Sequence, residues 1–424
     1  MDELYSQHVV LFHNQNMSSF LYKFRTLLSR FKPVVIIRLI LHPSLFKVTI
    51  RHFFGVPLKI TQNRYHLESA MEWLSLSQDI TGTGGSAASF GFESGWASPY
   101  PETSGYIIST FLRYASFVND PDYIERAIRM GDWEIEIQMP SGAVRGGSGI
   151  NDYPIVFNTG MVILGWADLY KATNDNRYLN AAIRGSDWLC SISENDGRWI
   201  RHTYNNIPHA YHSRVAWALL VMSDLTSSDL YRETAIRNIR WVLSLASDNG
   251  WIDLMGFSRD EMPLTHTIAY TLRGLLECSE YMEGDLKLKV RDLVISNSER
   301  LLLRYEKKKR HPNANPAYLS GRFNANWQPV ANFSCLTGNA QLAIIWLKLY
   351  RLTSDARFLN ATLKILDQLK EVQDISSSNH GIRGGIPGSF PIWGEYMQWS
   401  YPNWATKFFA DALILQEELM KPLE

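Results

Sequence analysis

The chain lacks most of the features that usually fix a function class at sight. Three cysteines, Cys190, Cys278 and Cys335, are spread over 424 residues with no close pair. That excludes a disulfide scaffold and a cysteine-based zinc site, and fits a reducing compartment, hence an expected cytoplasmic location. There is no HExxH. His209 and His212 stand three apart with no carboxylate or Cys at ligand spacing, so neither a metal nor another cofactor is expected. Lys+Arg and Asp+Glu both number 42, and this balance gives no reason to expect nucleic acid. No apolar run approaches the roughly 20 residues needed to span a bilayer, and Met1 is not followed by the order of segments that marks a secretory signal.

One absence is local. From Leu4 to Leu67 there is no Asp or Glu, whereas Lys23, Arg25, Arg30, Lys32, Arg38, Lys47, Arg51, Lys59 and Arg64 are basic. Residues 1–60 therefore read as a basic amphipathic arm. It either packs outside the main domain or touches a membrane face or a glycan-synthesis partner. Residues 61–420 form the main domain.

What the chain does have is a repeat. Thr103, Thr159, Ser213, Thr267, Thr337 and Asn403 each open a helical pattern, at steps of 56, 54, 54, 70 and 66 residues. A second series, Tyr65, Tyr123, Tyr178, Tyr231, Leu288 and Phe358, steps by 58, 55, 53, 57 and 70. Such periods indicate stacked supersecondary units. Twelve helices in alternating register imply an all-α (α/α)6 toroid of six hairpins. In the unit from Phe157 to Tyr204, Asn158 and Thr159 are capping types and Asn174-Asp175-Asn176-Arg177 is a tight turn. Short turns thus gather on one rim. Gly-bearing loops with short strands or hairpins gather on the other, together with the N-termini of six helices that favour anionic ligands.

Trp133, Trp188 and Trp241 each follow a repeat tyrosine by ten residues and read as core. Trp96, Trp327, Trp393 and Trp399 have no repeat equivalent and are candidates to face a sugar. The polar groups of the long-loop rim are Glu102, Arg145, Arg201, His202, Tyr204, His209, Tyr211, His212, Arg214, His266, Arg322, Arg383, Tyr401 and Asn403. A guanidinium that forks onto a carboxylate neutralises a uronate and stabilises the carbanion left when its C5 proton is removed. His202, Tyr204, His266 and Tyr401 are then candidate acids and bases. Glu102, Arg145, Asn158, Arg201, His212, Arg214, Arg322, Trp327, Arg383, Trp393 and Asn403 are candidate substrate contacts. This chemistry gives C5 epimerisation or β-elimination. Hydrolysis would instead need two carboxylates across a cleft, drawn from Glu102, Asp152, Asp253 and Glu395. A non-catalytic glycan-binding or scaffold subunit is the third reading.

Five segments carry a family resemblance: Glu102-Thr103-Ser104-Gly105-Tyr106, residues 201–211, Leu264-Thr265-His266-Thr267, residues 335–341 and residues 401–409. Together they resemble the VpsJ-type polysaccharide-biosynthesis proteins. The resemblance implies the six-hairpin fold, an oligo- or polysaccharide partner, and a role in making or tailoring exopolysaccharide or capsule. Residues 354–359 and Trp399-Ser400-Tyr401 are similar, more weakly, to the C-terminal domain of glucuronyl C5-epimerases. Pro402 and Asn403 stand where that family has histidines, so only Tyr401 carries over.

Overall fold

The computed structural model describes residues 25, 27–306 and 318–420. Two short helices lead, α1 (Pro33–Leu41) and α2 (Pro43–Phe54), followed by α3 (Asn63–Asp79). Inner and outer helices then alternate. The inner ones are α4 (Pro101–Val118), α6 (Val156–Thr173), α8 (Ser213–Thr226), α10 (Thr265–Ser279), α12 (Leu336–Thr353) and α14 (Asn403–Met420). The outer ones are α3, α5 (Asp122–Glu136), α7 (Asn176–Ser191), α9 (Asp229–Ser244), α11 (Gly284–Glu306) and α13 (Ala356–Lys370).

Each inner helix packs on the next, and α14 packs back on α4, so the ring is closed. Asn403 Nδ2 donates to Thr103 Oγ1 at 2.9 Å and Thr110 Oγ1 to Asp411 Oδ1 at 2.9 Å across that seam. The sixth hairpin is made by the two ends of the domain, since α3 packs on α14. The all-α (α/α)6 toroid expected from the repeat is the observed fold.

Surroundings decide which helices are apolar on every side. On α6, Met161, Val162, Ile163 and Leu164 are buried in succession, because neighbours cover the whole helix. On α7 the buried residues Tyr178, Ala181, Ala182, Gly185 and Leu189 form one face and the rest meets water. Four inner helices end on a left-handed residue, Asn119, Asn174, Ser227 or Ser354, at φ of 56°, 57°, 56° and 60°. Asp175 and Asp355 then cap the returning helices by accepting from the backbone N–H of Arg177 and Arg357. At the repeat tyrosines, Tyr178 OH donates to Asp132 at 2.9 Å and Tyr231 OH to Asp187 at 2.6 Å, joining successive outer helices.

The expected caps at Asn158 and Thr159 differ from what forms. The helix starts earlier, with Ile155 as its N-cap and no side-chain cap bond. Thr159 Oγ1 turns back to the Ile155 carbonyl at 2.8 Å and accepts from Val144 N at 2.9 Å, while Asn158 Nδ2 donates to the Arg145 carbonyl at 2.8 Å. Both side chains tie the incoming loop to the first turn instead.

A second device recurs at the base of the long loops. Gln78, Gln138 and Gln373 each donate both to a loop carbonyl, of Gly84, Gly142 or Gly384, and to a carbonyl on an adjacent outer helix, of Arg126, Ala181 or His66. Those loop glycines lie against neighbouring backbone. A Cβ on Gly384, at φ +86°, would meet the Ser69 carbonyl oxygen at 2.0 Å.

The rim loops carry a three-stranded sheet, β2 (Gly95–Trp96), β1 (Ser89–Gly91) and β5 (Ser400–Pro402), and a two-stranded one, β3 (Ser334–Cys335) with β4 (Ser389–Phe390). Phe90 pairs with Trp96 and with Tyr401, so β1 stitches the first loop to the last. The arm packs on these loops. Trp399 Nε1 donates to the Arg30 carbonyl at 3.0 Å, the Ile392 N–H to His52 Nδ1 at 2.9 Å, and Arg51 pairs with Asp374 at 3.2 Å.

Candidate functional site

The long-loop rim encloses a cavity of about 360 Å³. Its walls are aromatic: Tyr100, Tyr153, Phe157, Tyr204, Tyr211, Phe257, Tyr270, Tyr396 and Trp404, with Ile155, Met397 and Gly147. Its remaining groups are one carboxylic acid, Glu102, one imidazole, His266, and the amide of Asn158. These three sit in the first turns of α4, α10 and α6, and Trp404 in that of α14. The positive ends of four helix dipoles therefore face the same space. Flat rings with a few convergent polar groups suit a sugar, whose C–H faces stack while its hydroxyls need partners.

Glu102 is half-buried, and Tyr100 OH donates to its Oε2 at 2.5 Å. Burial pushes its carboxyl up to about 7, against the opposing pull of the Tyr100 hydrogen bond and the Arg214 charge. A carboxyl poised there exchanges its proton readily at neutral pH.

His266 is buried, and Gln341 Nε2 stands 2.7 Å from its Nδ1. The same amide nitrogen donates to the Thr337 carbonyl at 3.3 Å. With its N–H groups used in this way, the amide makes Nδ1 an acceptor and leaves the imidazole proton on Nε2. Burial, helped by the Arg214 charge, lowers the His266 pKa to about 3. His266 is thus a neutral hydrogen-bond donor. A Cβ at Gly338 would meet the His266 backbone nitrogen at 2.7 Å, so glycine there permits the close packing of α12 on α10.

Arg214 lies beneath the cavity. It is buried, with its guanidinium 4.7 Å from the Tyr270 ring centre and 5.7 Å from that of Phe408, and Nε directed to Met161 Sδ at 3.3 Å. Its charge reaches Glu102 and His266 without reaching the cavity wall.

The other expected site residues are placed as follows. Tyr204 lines the cavity with its ring edge-on to Phe257, at 5.4 Å. His202, at φ +61°, packs on Trp188 at 5.8 Å, and its carbonyl accepts from Val156 N. Tyr401 is buried in β5, stacked on Phe92 at 6.3 Å, away from the cavity wall. His212 is buried among Phe157, Trp199 and Tyr211, and burial holds its pKa well below the usual value. Asn403 donates to Ser86 Oγ, the Ala87 carbonyl and Thr103 Oγ1.

None of the rim arginines lines the cavity. Arg145 donates to the carbonyls of Ile137 and Asn151 and pairs with Asp152. Arg322 pairs with Glu261 and donates to the Met262 carbonyl, Arg383 bonds His380, and Arg201 is exposed. Trp327, Trp393 and Trp399 are buried and Trp96 is half-buried. Trp327 packs on Trp251, Trp393 on Trp399, and Trp96 on Trp73. Of the other carboxylates, Asp152 and Asp253 are exposed and Glu395 pairs with Arg30.

Sequence reasoning missed Tyr100, Tyr153, Phe257, Tyr270, Tyr396 and Trp404. Two had a signal. Tyr270 follows His266 by one helical turn, and Tyr100 shortly precedes Glu102. A larger hollow, about 540 Å³, lies on the short-turn rim. Its charges largely satisfy one another through Arg273–Glu277, Lys348–Glu277, Arg113–Glu418 and Arg291–Glu280.

No family model matches the chain, and no curated protein matches it in sequence. Solved structures do match in fold. An unsaturated glucuronyl hydrolase specific for heparin superposes with a TM-score of 0.65 at 13% identity, covering 85% of this chain and 98% of its own. A polysaccharide lyase gives 0.62 at 13% identity, covering 86% and 99%. The cellobiose 2-epimerase of Bacillus thermoamylovorans gives 0.63 at 11% identity, covering 84% and 98%. At these identities the likeness shows the six-hairpin fold. It does not distinguish a VpsJ-type protein from other members of that architecture.

Proposed function

We propose that this protein is a carbohydrate-modifying enzyme that moves a proton at one sugar carbon, with Glu102 as acid–base group and neutral His266 as hydrogen-bond donor. The observation that carries this reading is one carboxyl, held near neutrality, sharing an aromatic cavity with His266. Proteins of this fold whose names record hydrolase, lyase and epimerase activities on sugars make carbohydrate chemistry the natural class.

The finer reading is removal of the C5 proton of a uronate. Ionised Glu102 takes the proton, and the electron pair left behind delocalises onto the sugar carboxylate. The His266 Nε2–H and the helix N-termini offset the growing negative charge. Delivery of a proton from solvent to the opposite face gives the C5 epimer, and Glu102 releases the proton it took to solvent. Expulsion of the substituent at C4, whose leaving oxygen takes the proton from Glu102, gives the unsaturated product. The uronate charge would be met by these dipoles and the field of Arg214, since no arginine lines the cavity. Two-carboxylate hydrolysis is less well supported, because Glu102 is the one carboxylate among the lining residues. The VpsJ-type resemblance supports a role in exopolysaccharide or capsule biosynthesis, and the scattered thiols support a cytoplasmic location.

Incubation with uronate-containing and neutral polysaccharides in deuterated water tests the reading. Deuterium at C5, or an unsaturated product, is expected from the uronate polymers alone. New reducing ends with neither deuterium at C5 nor an unsaturated product would indicate a glycosidase. Bound but unaltered oligosaccharide would indicate a binding subunit.

A further inference from the structure

The arm helices present a surface that the cavity chemistry does not use. On α1, Ile36, Ile37, Ile40 and Leu41 are exposed, Ile40 to 76%, whereas Val35 and Leu39 on the opposite side are buried. On α2, Phe46 and Phe54 are exposed along one stripe that also carries Lys47, whereas Leu45, Val48 and Phe53 face the protein. Each helix is therefore two-sided, with an apolar face inward and a second apolar face outward. An outward stripe of this kind marks an interaction surface.

Charge says what kind. No carboxylate occurs between Leu4 and Leu67, and Arg38 and Lys47 flank the exposed aliphatic side chains. Lys32, Arg30 and Arg51 are paired with Glu93, Glu395 and Asp374, whereas apolar residues bordered by Arg38 and Lys47 complement an interface with an oily interior and anionic headgroups. The geometry excludes a simple crossing. No single described helix is long and apolar enough to cross a membrane, and α1 and α2 are bent by 111° at His42. At about 1.5 Å per residue, neither reaches across a core of about 30 Å.

We infer that α1 and α2 dock this protein on an anionic lipid surface, lying in the interface rather than spanning it. The arm is anchored where this matters. Arg30 pairs with Glu395, beside the cavity residues Tyr396 and Met397. Docking therefore holds the loops of the cavity rim close to the bilayer. The inference concerns location and stands apart from the reaction proposed above.

The test is co-sedimentation of the full chain with vesicles of phosphatidylcholine, with or without phosphatidylglycerol. Binding is expected with phosphatidylglycerol, is much weaker without it, and is released by salt. Paired Arg38→Gln and Lys47→Gln should weaken partitioning about fivefold per cation, the fold-change that about 1 kcal/mol each near an anionic surface gives. Paired Ile37→Glu and Ile40→Glu should abolish binding. Circular dichroism of both variants should match the parent, since these side chains lie outside the core. Three results would overturn the inference: no binding to either vesicle, equal binding by the Ile→Glu variant, or a dimer in solution that this variant dissolves. The last would assign the face to a second copy of the chain.

Discussion

Gln341 Nε2 stands 2.7 Å from Nδ1 of His266, and this contact sets which ring nitrogen of the histidine carries the proton. A glutamate at that position accepts but does not donate, so Gln341→Glu should draw the proton onto Nδ1 and raise the imidazole pKa. Nitrogen chemical shifts of labelled histidine would report the switch. Loss of the Nε2–H toward the cavity should lower kcat by about 10²-fold, at the lower end of acid–base contributions. A normal rate with a switched tautomer would remove His266 from the mechanism.

Glu102 sets the pH profile. Burial pushes its carboxyl up to about 7, and in the proposed reaction the ionised form is the base. Activity should therefore rise with pH through neutrality and level off above it. Glu102→Gln should lower the rate about 10²–10⁴-fold and remove that rising limb.

Tyr100→Phe separates burial from hydrogen bonding. The Tyr100 hydroxyl pulls the Glu102 pKa down, while burial pushes it up. Removing the hydroxyl and keeping the ring should move the rising limb to higher pH. A shift to lower pH would contradict the assigned balance of forces.

Gln373 tests the loop clasp. Its amide donates to the carbonyls of His66 and Gly384, and its oxygen lies 2.6 Å from His66 Nδ1, all in a buried setting. Gln373→Ala leaves those groups unpaired and should cost about 1–3 kcal/mol, read from the denaturant midpoint.

The rim arginines provide a contrast. Arg383 bonds His380 and does not line the cavity. Arg383→Ala should leave kcat/KM within about twofold, the scale of an ordinary surface substitution. A large rise in KM for a uronate polymer would restore the guanidinium clamp.

Much of the architecture was legible because the repeat is local. The Asn174 turn, the Asp175 cap and the tyrosine of α7 lie within a few residues of one another, and the same order returns along the chain. The candidate site was legible only in part. Glu102, Asn158, Tyr204 and His266 line the cavity, whereas Tyr401 and His202 belong to packing, although all six lie in rim loops or first helical turns. Loop membership fixes which rim a residue occupies, but not whether its side chain turns inward or outward.

The sequence alone determined six hairpins, their order, and which rim carries the long loops, because turn chemistry and apolar spacing act over one or two helical turns. Tertiary structure decided that α3 completes the hairpin of α14, nearly the whole chain away, and that Tyr100, Tyr270, Tyr396 and Trp404 meet in one hollow. Closure of the ring brings these residues together. It follows from packing between distant elements, which no local pattern encodes.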